Sequence, residues 1–416
     1  MKKSLSLVIV AVIAIFLLGA AIFIKDADIL PDSAVSGVNV DDPEYYAKFK
    51  GQNITLNVYN WGEYISDGSE GSMNVIKEFE ALTGIKVTYT TYETNEDLYA
   101  KLSSSNSQYD IIIPSDYMVA RMIKEGMVEK LNYSNIPNFE KIDPNFRTTD
   151  FDPGNGERSE YSVPYTWGAV GIVYNTKYVA KEDIGSWDLL WNEKYAGNIL
   201  MFSNSRDAYG IALKKLGYSL NSVDKKEIAE ATEALKQQQK VNQAYVMDQV
   251  LNKMESESAY IAPYYAGECL QLMDENENLD FYYPEEGFNQ FIDSICIPKG
   301  CKNKEAAEAF INFLCETEVA VANCEYICYF SPHAEAAEIV GVDERIYPTD
   351  EQLDTAESYK ALPDDINSLY DSSWIEVRSR LDISEIAIVA IILGLSLAVL
   401  VVLTILRKMK KGKINY

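Results

Sequence analysis

The sequence predicts an α/β protein folded as two lobes, from three observations. At 416 residues the chain exceeds one small domain and suits two lobes of ordinary size with appendages. From Ile54 onward short apolar strands alternate with helical stretches, the pattern of a largely parallel sheet covered by helices. Two long extended runs, 161–175 and 291–298, are placed to carry the chain from one lobe to the other and back.

Taken in order, residues 25–50 are polar and acidic without a clear period and read as a stalk. Residues 54–59 read as a strand and 73–82 have helical spacing. Residues 86–91 alternate with β-branched side chains, and 95–102 are helical again. The short apolar strand 111–113 ends at Pro114-Ser115-Asp116, and 117–125 follow as a helix. The first extended run is interrupted by Pro164 and Gly168. Helices are expected after it at 207–216 and 225–238, an amphipathic one at 303–314, and a last one at 372–381. In sheets of this kind ligands sit at the carboxyl ends of strands. Asn60-Trp61-Gly62-Glu63-Tyr64 and Pro114-Ser115-Asp116-Tyr117 fall at such ends.

Two apolar runs frame this region. Residues 5–24 follow Lys2-Lys3 as the apolar core of a secretory signal follows its charged start. The run is longer than usual and no clean small-residue cleavage site follows, so a cleaved signal peptide and a retained anchor both remain open. No cysteine precedes Cys269, which leaves no early site for a lipid tether. Residues 386–406 carry no charge; as a helix they would span about 31 Å, the thickness of a bilayer core. The basic run from Arg407 to Lys413 then puts residues 407–416 in the cytoplasm and the acidic middle outside the cell.

Charge narrows the function classes. The chain holds 63 Asp and Glu against 37 Lys and Arg, a net charge of −26, and 47% hydrophobic residues give it material for a sizeable core. Every acid lies between residues 25 and 385, whereas Lys2, Lys3 and the five basic residues of the tail lie outside. Such a field repels nucleic acid and draws small cations, or simply keeps the surface soluble. The six cysteines, Cys269, Cys296, Cys301, Cys315, Cys324 and Cys328, form no CxxC pair and no zinc pattern. Disulfides and free thiols both remain open.

No catalytic constellation is present: the sequence lacks a nucleophile elbow, a P-loop, a dinucleotide fingerprint and a zincin motif. The lone His333 lies in a Ser-Pro-His-Ala-Glu stretch and reads as a surface loop residue. No metal site or cofactor is expected. What does stand out is aromatic residues beside carboxylates: Trp61 with Glu63 and Tyr64, Asp116 with Tyr117, and Phe291 with Asp293. A flexible organic polycation needs that pairing. Carboxylates receive its ammonium groups. Aromatic faces line its methylenes and add cation–π attraction of roughly 0.5–2 kcal/mol each.

At these residues the sequence resembles the bacterial spermidine/putrescine-binding proteins of ABC importers. The resemblance rests on 56–64, on Thr91-Tyr92-Glu93-Thr94-Asn95-Glu96, on 109–115, on Ser162-Val163-Pro164-Tyr165-Thr166-Trp167-Gly168 and on Ser186-Trp187-Asp188-Leu189-Leu190-Trp191. It runs in the family's order from about residue 54 to about residue 365. It implies a type II periplasmic-binding-protein-like fold, with lobe 1 formed by 51–165 and 294–336 and lobe 2 by 166–293 and 337–380. The lobes would close on a polyamine at a hinge, and a membrane permease with its cytoplasmic ATPase would be the partners. As ligand-binding residues it implies Trp61, Gly62, Glu63 and Tyr64 in a first loop, then Ser115 and Tyr117, Asp207, Tyr264, Phe291, Asp293 and Tyr329. Tyr264 and Phe291 stand where the family has tryptophan, and Asn204 stands where it has a carboxylate. Those departures keep a different organic cation open as the ligand. A membrane-tethered sensor would need a cytoplasmic output domain, and only ten residues follow Leu406.

Overall fold

The computed structural model of the protein describes residues 37–104 and 108–379. Helix α1 (Pro43–Ala47) precedes β1 (Thr55–Trp61). Then come α2 (Val75–Thr83), β2 (Lys86–Tyr92), α3 (Asn95–Ser103), β3 (Ile111–Ile112) and α4 (Asp116–Lys124). After several single turns, β4 (Ser162–Asn175) leads to β5 (Ile199–Phe202), α5 (Ser205–Lys215), α6 (Lys225–Gln238) and β6 (Asn242–Val246). The chain continues through α7 (Gln249–Glu255), β7 (Ile261–Tyr265), α8 (Ala266–Glu275), β8 (Leu279–Tyr282) and β9 (Gln290–Cys296). Helices α9 (Lys304–Leu314), α10 (Thr317–Ile327), α11 (Ala334–Val340) and α12 (Asp364–Arg378), with one short helical turn at Asp350–Leu353 before the last, complete the described chain.

The strands join in the order β2-β1-β3-β9-β4-β7-β5-β6, with β8 also on β4. The pairs β1–β2, β1–β3, β5–β6 and β5–β7 are parallel. The antiparallel pair of β4 with β9 joins the two halves of the sheet. Strand β4 is buried at all 14 positions, because its first part pairs in one half, from Ser162 opposite Cys296, and its end pairs with β7 and β8 in the other. A third connection passes beside it, where Trp167 bridges to Phe330.

Each half has its own apolar core. Leu56, Val58, Phe79, Ile85, Phe310 and Phe313 belong to the first; Val173, Trp187, Phe202, Tyr209, Phe288 and Trp374 belong to the second. Helix α12 seals the second, with Tyr370 edge-on to Tyr209 at 4.9 Å and the Trp374 indole donating to the Ser203 carbonyl at 3.0 Å.

Several expectations need correction. Residues 37–50 are no stalk. The Asp42 side chain caps α1 by accepting from the amides of Glu44 and Tyr45, and Pro43 opens the helix. Val38, Val40, Tyr46 and Phe49 are buried in the first core. The Tyr46 hydroxyl is kept satisfied there, donating to Glu316 Oε1 at 2.8 Å and accepting from Asn312 at 2.7 Å. His333 is not on the surface: it is 2% exposed, and its Nδ1 caps α11 by accepting from the Ala336 amide at 3.1 Å. Burial also lowers its pKa. The last helix begins at Asp364, earlier than its apolar spacing indicated. The six cysteines, whose state the sequence leaves open, are all free thiols. The expected segments 1–24 and 386–406, the tail 407–416 and residues 25–36 lie outside the described residues. Among the described residues no helix is long and apolar enough to cross a membrane.

The junction is packed to contact. A β-carbon on Gly168 of β4 would stand 2.8 Å from the Phe291 ring and 2.9 Å from the Tyr329 ring, closer than such atoms approach. We expect Gly168→Ala to cost about 1–3 kcal/mol, as overpacking does. Thermal unfolding would register it as a lower Tm, and an unchanged Tm would mean that the rings have room to move.

Candidate functional site

The carboxyl ends of the parallel strands in both halves face one cleft of about 720 Å³, counting the space open at its mouth. Loops after β1, β2 and β3 bring Trp61, Gly62, Tyr64, Asn95, Glu96, Ser115 and Tyr117 to one wall. The ends of β5, β6 and β7 bring Asn204, Asp207, Asp248, Tyr264, Tyr265 and Glu268 to the other. Phe291 and Asp293 on β9 and Tyr329 on the third connection form the floor.

Trp61 is fixed by its indole, which donates to the Ile113 carbonyl at 2.9 Å, and by Tyr92, whose ring lies 4.6 Å away. Phe291 packs edge-on between Tyr265 at 5.5 Å and Tyr329 at 5.8 Å. The walls meet across the cleft mouth: the Tyr117 and Tyr359 rings are 5.8 Å apart, and the backbone of Gly62 lies against Asp248.

Six acids line the cleft (Glu93, Glu96, Asp207, Asp248, Glu268 and Asp293), and among the described residues no lysine or arginine does. Five of them receive a tyrosine hydroxyl. Tyr64 donates to Asp293 at 2.6 Å, Tyr117 to Glu96 at 2.9 Å, Tyr265 to Asp207 at 2.9 Å and Tyr264 to Asp248 at 3.3 Å; Tyr329 donates to Glu268. Glu96, Asp207 and Glu268 lie in the first turns of α3, α5 and α8, and Asp248 stands at the start of α7. The positive end of each helix dipole faces these anions.

These contacts do not replace a cation. Burial pushes the Asp293 carboxyl up to about 6 against the pull of hydrogen bonds from Ser115 and Tyr64, and nearby Asp207 adds to the rise. Burial pushes Glu268 up to about 8, with Asp248 and Asp293 adding to the rise and Tyr329 opposing it. Asp207, Glu96 and Asp248 are raised chiefly by burial as well. Asp293 is 4% exposed, and its Oδ1 has no hydrogen-bond partner among the described residues. A buried carboxylate oxygen of that kind is completed by a donor, and a cationic donor serves it best. Among the described residues no cluster of acids, histidines and cysteines is arranged to hold a metal ion.

Of the positions expected from sequence, Trp61, Gly62, Tyr64, Ser115, Tyr117, Asp207, Tyr264, Phe291, Asp293 and Tyr329 line this cleft. Glu63 does not. It is exposed in a left-handed conformation at φ 49°, a backbone state the sequence does not reveal. Asn204 does line the cleft, and it holds Asp207 in place: its Nδ2 donates to Asp207 Oδ2 at 2.7 Å while its Oδ1 accepts from the Asp207 amide at 2.8 Å. Glu96, Asp248, Tyr265, Glu268 and Tyr359 went unread. The available signal for Glu268 was a tyrosine pair closing a strand just before an acid in a first helical turn.

The raised carboxyls fix a pH response. Each contributes stability that is fully present below its ordinary unfolded value. That contribution is lost as pH rises through about 6 for Asp293 and about 8 for Glu268. Without ligand, Tm should therefore fall between pH 5 and pH 8.5, and a bound polycation should reverse the trend. Asp293→Asn should flatten the lower part of that slope; thermal scans in which it leaves the slope unaltered would count against this assignment.

Residues 74–354 match the bacterial extracellular solute-binding protein family. The spermidine/putrescine-binding periplasmic protein of Escherichia coli strain K12 is 36% identical over 310 residues, covering 73% of this chain and 86% of its own. Among solved structures, the spermidine/putrescine ABC transporter substrate-binding protein of Streptococcus pneumoniae is 35% identical with a TM-score of 0.65, covering 78% of this chain and 99% of its own. The Tp0655 lipoprotein of Treponema pallidum is 29% identical with a TM-score of 0.69, over 78% of this chain and 100% of its own. The fold is thus that of the periplasmic binding proteins, and the chain belongs to the bacterial extracellular solute-binding protein family, in the group that contains its spermidine/putrescine-binding members.

Proposed function

We propose that this protein captures a polyamine, spermidine or putrescine, outside the cytoplasm and delivers it to an ABC permease driven by a cytoplasmic ATPase. The observation that carries the proposal is a cleft with six acids and no base among its described lining residues. Its carboxylates are held by tyrosines and its walls are aromatic, as an alkyl chain studded with ammonium groups requires. The names of the relatives point the same way.

In this reading the lobes are 51–165 with 294–336 and 166–293 with 337–380, and their separate cores support that division. The ligand residues are Trp61, Gly62, Tyr64, Ser115, Tyr117, Asp207, Tyr264, Phe291, Asp293 and Tyr329. Residues 386–406 hold the protein at the membrane, with 407–416 inside, and residues 1–24 are a cleaved signal peptide or a signal anchor. Deleting 386–416 should then move the protein from the membrane pellet to the supernatant, or weaken its retention if the first segment also anchors; fractionation identical to the full chain would remove the C-terminal span from this scheme.

A second reading, a different organic cation in the same cleft, draws on Asn204, which occupies Asp207 instead of adding a charge of its own. Calorimetric titration of the full-length chain in mild detergent separates the two. Spermidine or putrescine should bind at micromolar or tighter concentration, and Asp293→Asn should weaken that binding about 30-fold or more, as loss of one partner of a desolvated charge pair does. A folded chain that gives no heat with either amine, yet binds another organic cation, favours the second reading.

A further inference from the structure

The first half of the molecule carries a second cavity, at the opposite end of its parallel strands from the cleft. It encloses about 960 Å³, counting the space open to solvent, against about 720 Å³ for the cleft. The amino end of β1 supplies Thr55 and Asn57, and the loop after β9 supplies Lys299, Lys302 and Asn303. Leu102, Tyr109 and Met127 add apolar surface. The Tyr109 ring is held in place by stacking on Tyr59, with centroids 4.4 Å apart.

Charge at this end runs against the rest of the chain. The protein carries a net −26, yet Lys299 and Lys302 are exposed at the cavity and form no ion pair among the described residues. The acids nearby are already engaged. Asp110, the one carboxylate among the described lining residues, is 6% exposed. Its Oδ1 accepts from the Cys301 thiol at 3.2 Å and its Oδ2 from the Asn57 amide at 2.9 Å. Glu129 accepts from the Gly300 amide at 3.0 Å. Other lysines at this end hold the remaining acids: Lys48 pairs with Glu305 at 2.9 Å, Lys304 with Glu308 at 3.4 Å and Lys86 with Glu80 at 3.9 Å. Positive charge is left over where the cavity opens.

We propose that this cavity binds the phosphate group of an organic phosphate, with Lys299 and Lys302 as its cationic partners and the carrier's apolar body against Tyr109, Leu102 and Met127. Two ammonium groups three positions apart on one loop match the double charge of a phosphomonoester, where a carboxylate would bring only one. An apolar wall with a few convergent polar groups is the usual make-up of a small-molecule site. A soluble phosphate ester and the phosphate headgroup of a lipid present this same chemistry. The inference is independent of the polyamine reading, because the cavity and the cleft share no lining residue.

The test is the rate at which single lysines of the full-length chain are acetylated by a water-soluble reagent, read by peptide mass spectrometry. One arm titrates glycerol 3-phosphate onto the protein in mild detergent. The other compares phosphatidylcholine nanodiscs with and without phosphatidic acid. Lys299 and Lys302 should be protected in at least one arm, while Lys225, exposed in the second half of the molecule, keeps its rate. Protection by glycerol 3-phosphate assigns the site to a soluble phosphate ester, and protection by phosphatidic acid alone assigns it to a lipid headgroup. Unchanged rates at Lys299 and Lys302 in both arms, or equal protection of Lys225, overturn the proposal. In the arm that shows protection, Lys302→Gln, a change at an exposed position, should raise the concentration needed to protect Lys299 about 10-fold, as loss of one charged hydrogen-bond partner does. An unaltered concentration refutes the pairing.

Discussion

Negative charge gathered out of water is the constraint on which the rest of this structure depends. An ionised carboxylate withdrawn from solvent must be stabilised or it takes a proton. Here several are gathered without a lysine or arginine among the described lining residues. What the fold offers is weaker and fixed: a phenolic hydroxyl on each of five acids and the starts of four helices. Such groups stabilise an anion only in part, which is why the carboxyls remain raised. Carboxyl groups placed so are completed best by a cationic donor. Affinity in such a site comes from what the folded protein lacks as much as from what it presents.

The same need explains the architecture. Parallel strands end where helices begin, so each strand-to-helix turn places a helix N-terminus at the cleft. Two half-sheets facing one another double the number of such turns. The tyrosines that hold the acids are themselves tied into the aromatic floor, as Tyr64 is to Tyr329 at 5.3 Å. Charge, ring and backbone are therefore positioned by one packing arrangement.

Much of this was legible in the sequence. Alternating apolar strands and helices marked the layers, and Asn60-Trp61-Gly62-Glu63-Tyr64 marked a strand end at the site. The helix 225–238 falls where its spacing placed it. What escaped did so for physical reasons. Glu63 turns out of the cleft through a positive φ, and a five-residue motif carries no record of that. Residues 37–50 look polar in one dimension, yet Val38, Val40, Tyr46 and Phe49 find apolar partners hundreds of residues away. Glu268 is one acid in a first helical turn among several in the chain, and only the fold distinguishes it by burying it beside Tyr329.

The strand order has a consequence for how the chain is made. Strand β9 lies between β3 and β4 in the sheet, although it follows them by more than a hundred residues. A nascent chain that has emerged only as far as α8 therefore holds two strand edges with a vacant slot between them. Unpaired edges of that kind invite pairing with the wrong strand. The first half of the molecule can close only when residues 290–296 arrive, so its folding waits on the synthesis of nearly all of the second half. The ligand cleft, which uses β9 as its floor, is among the last features to form.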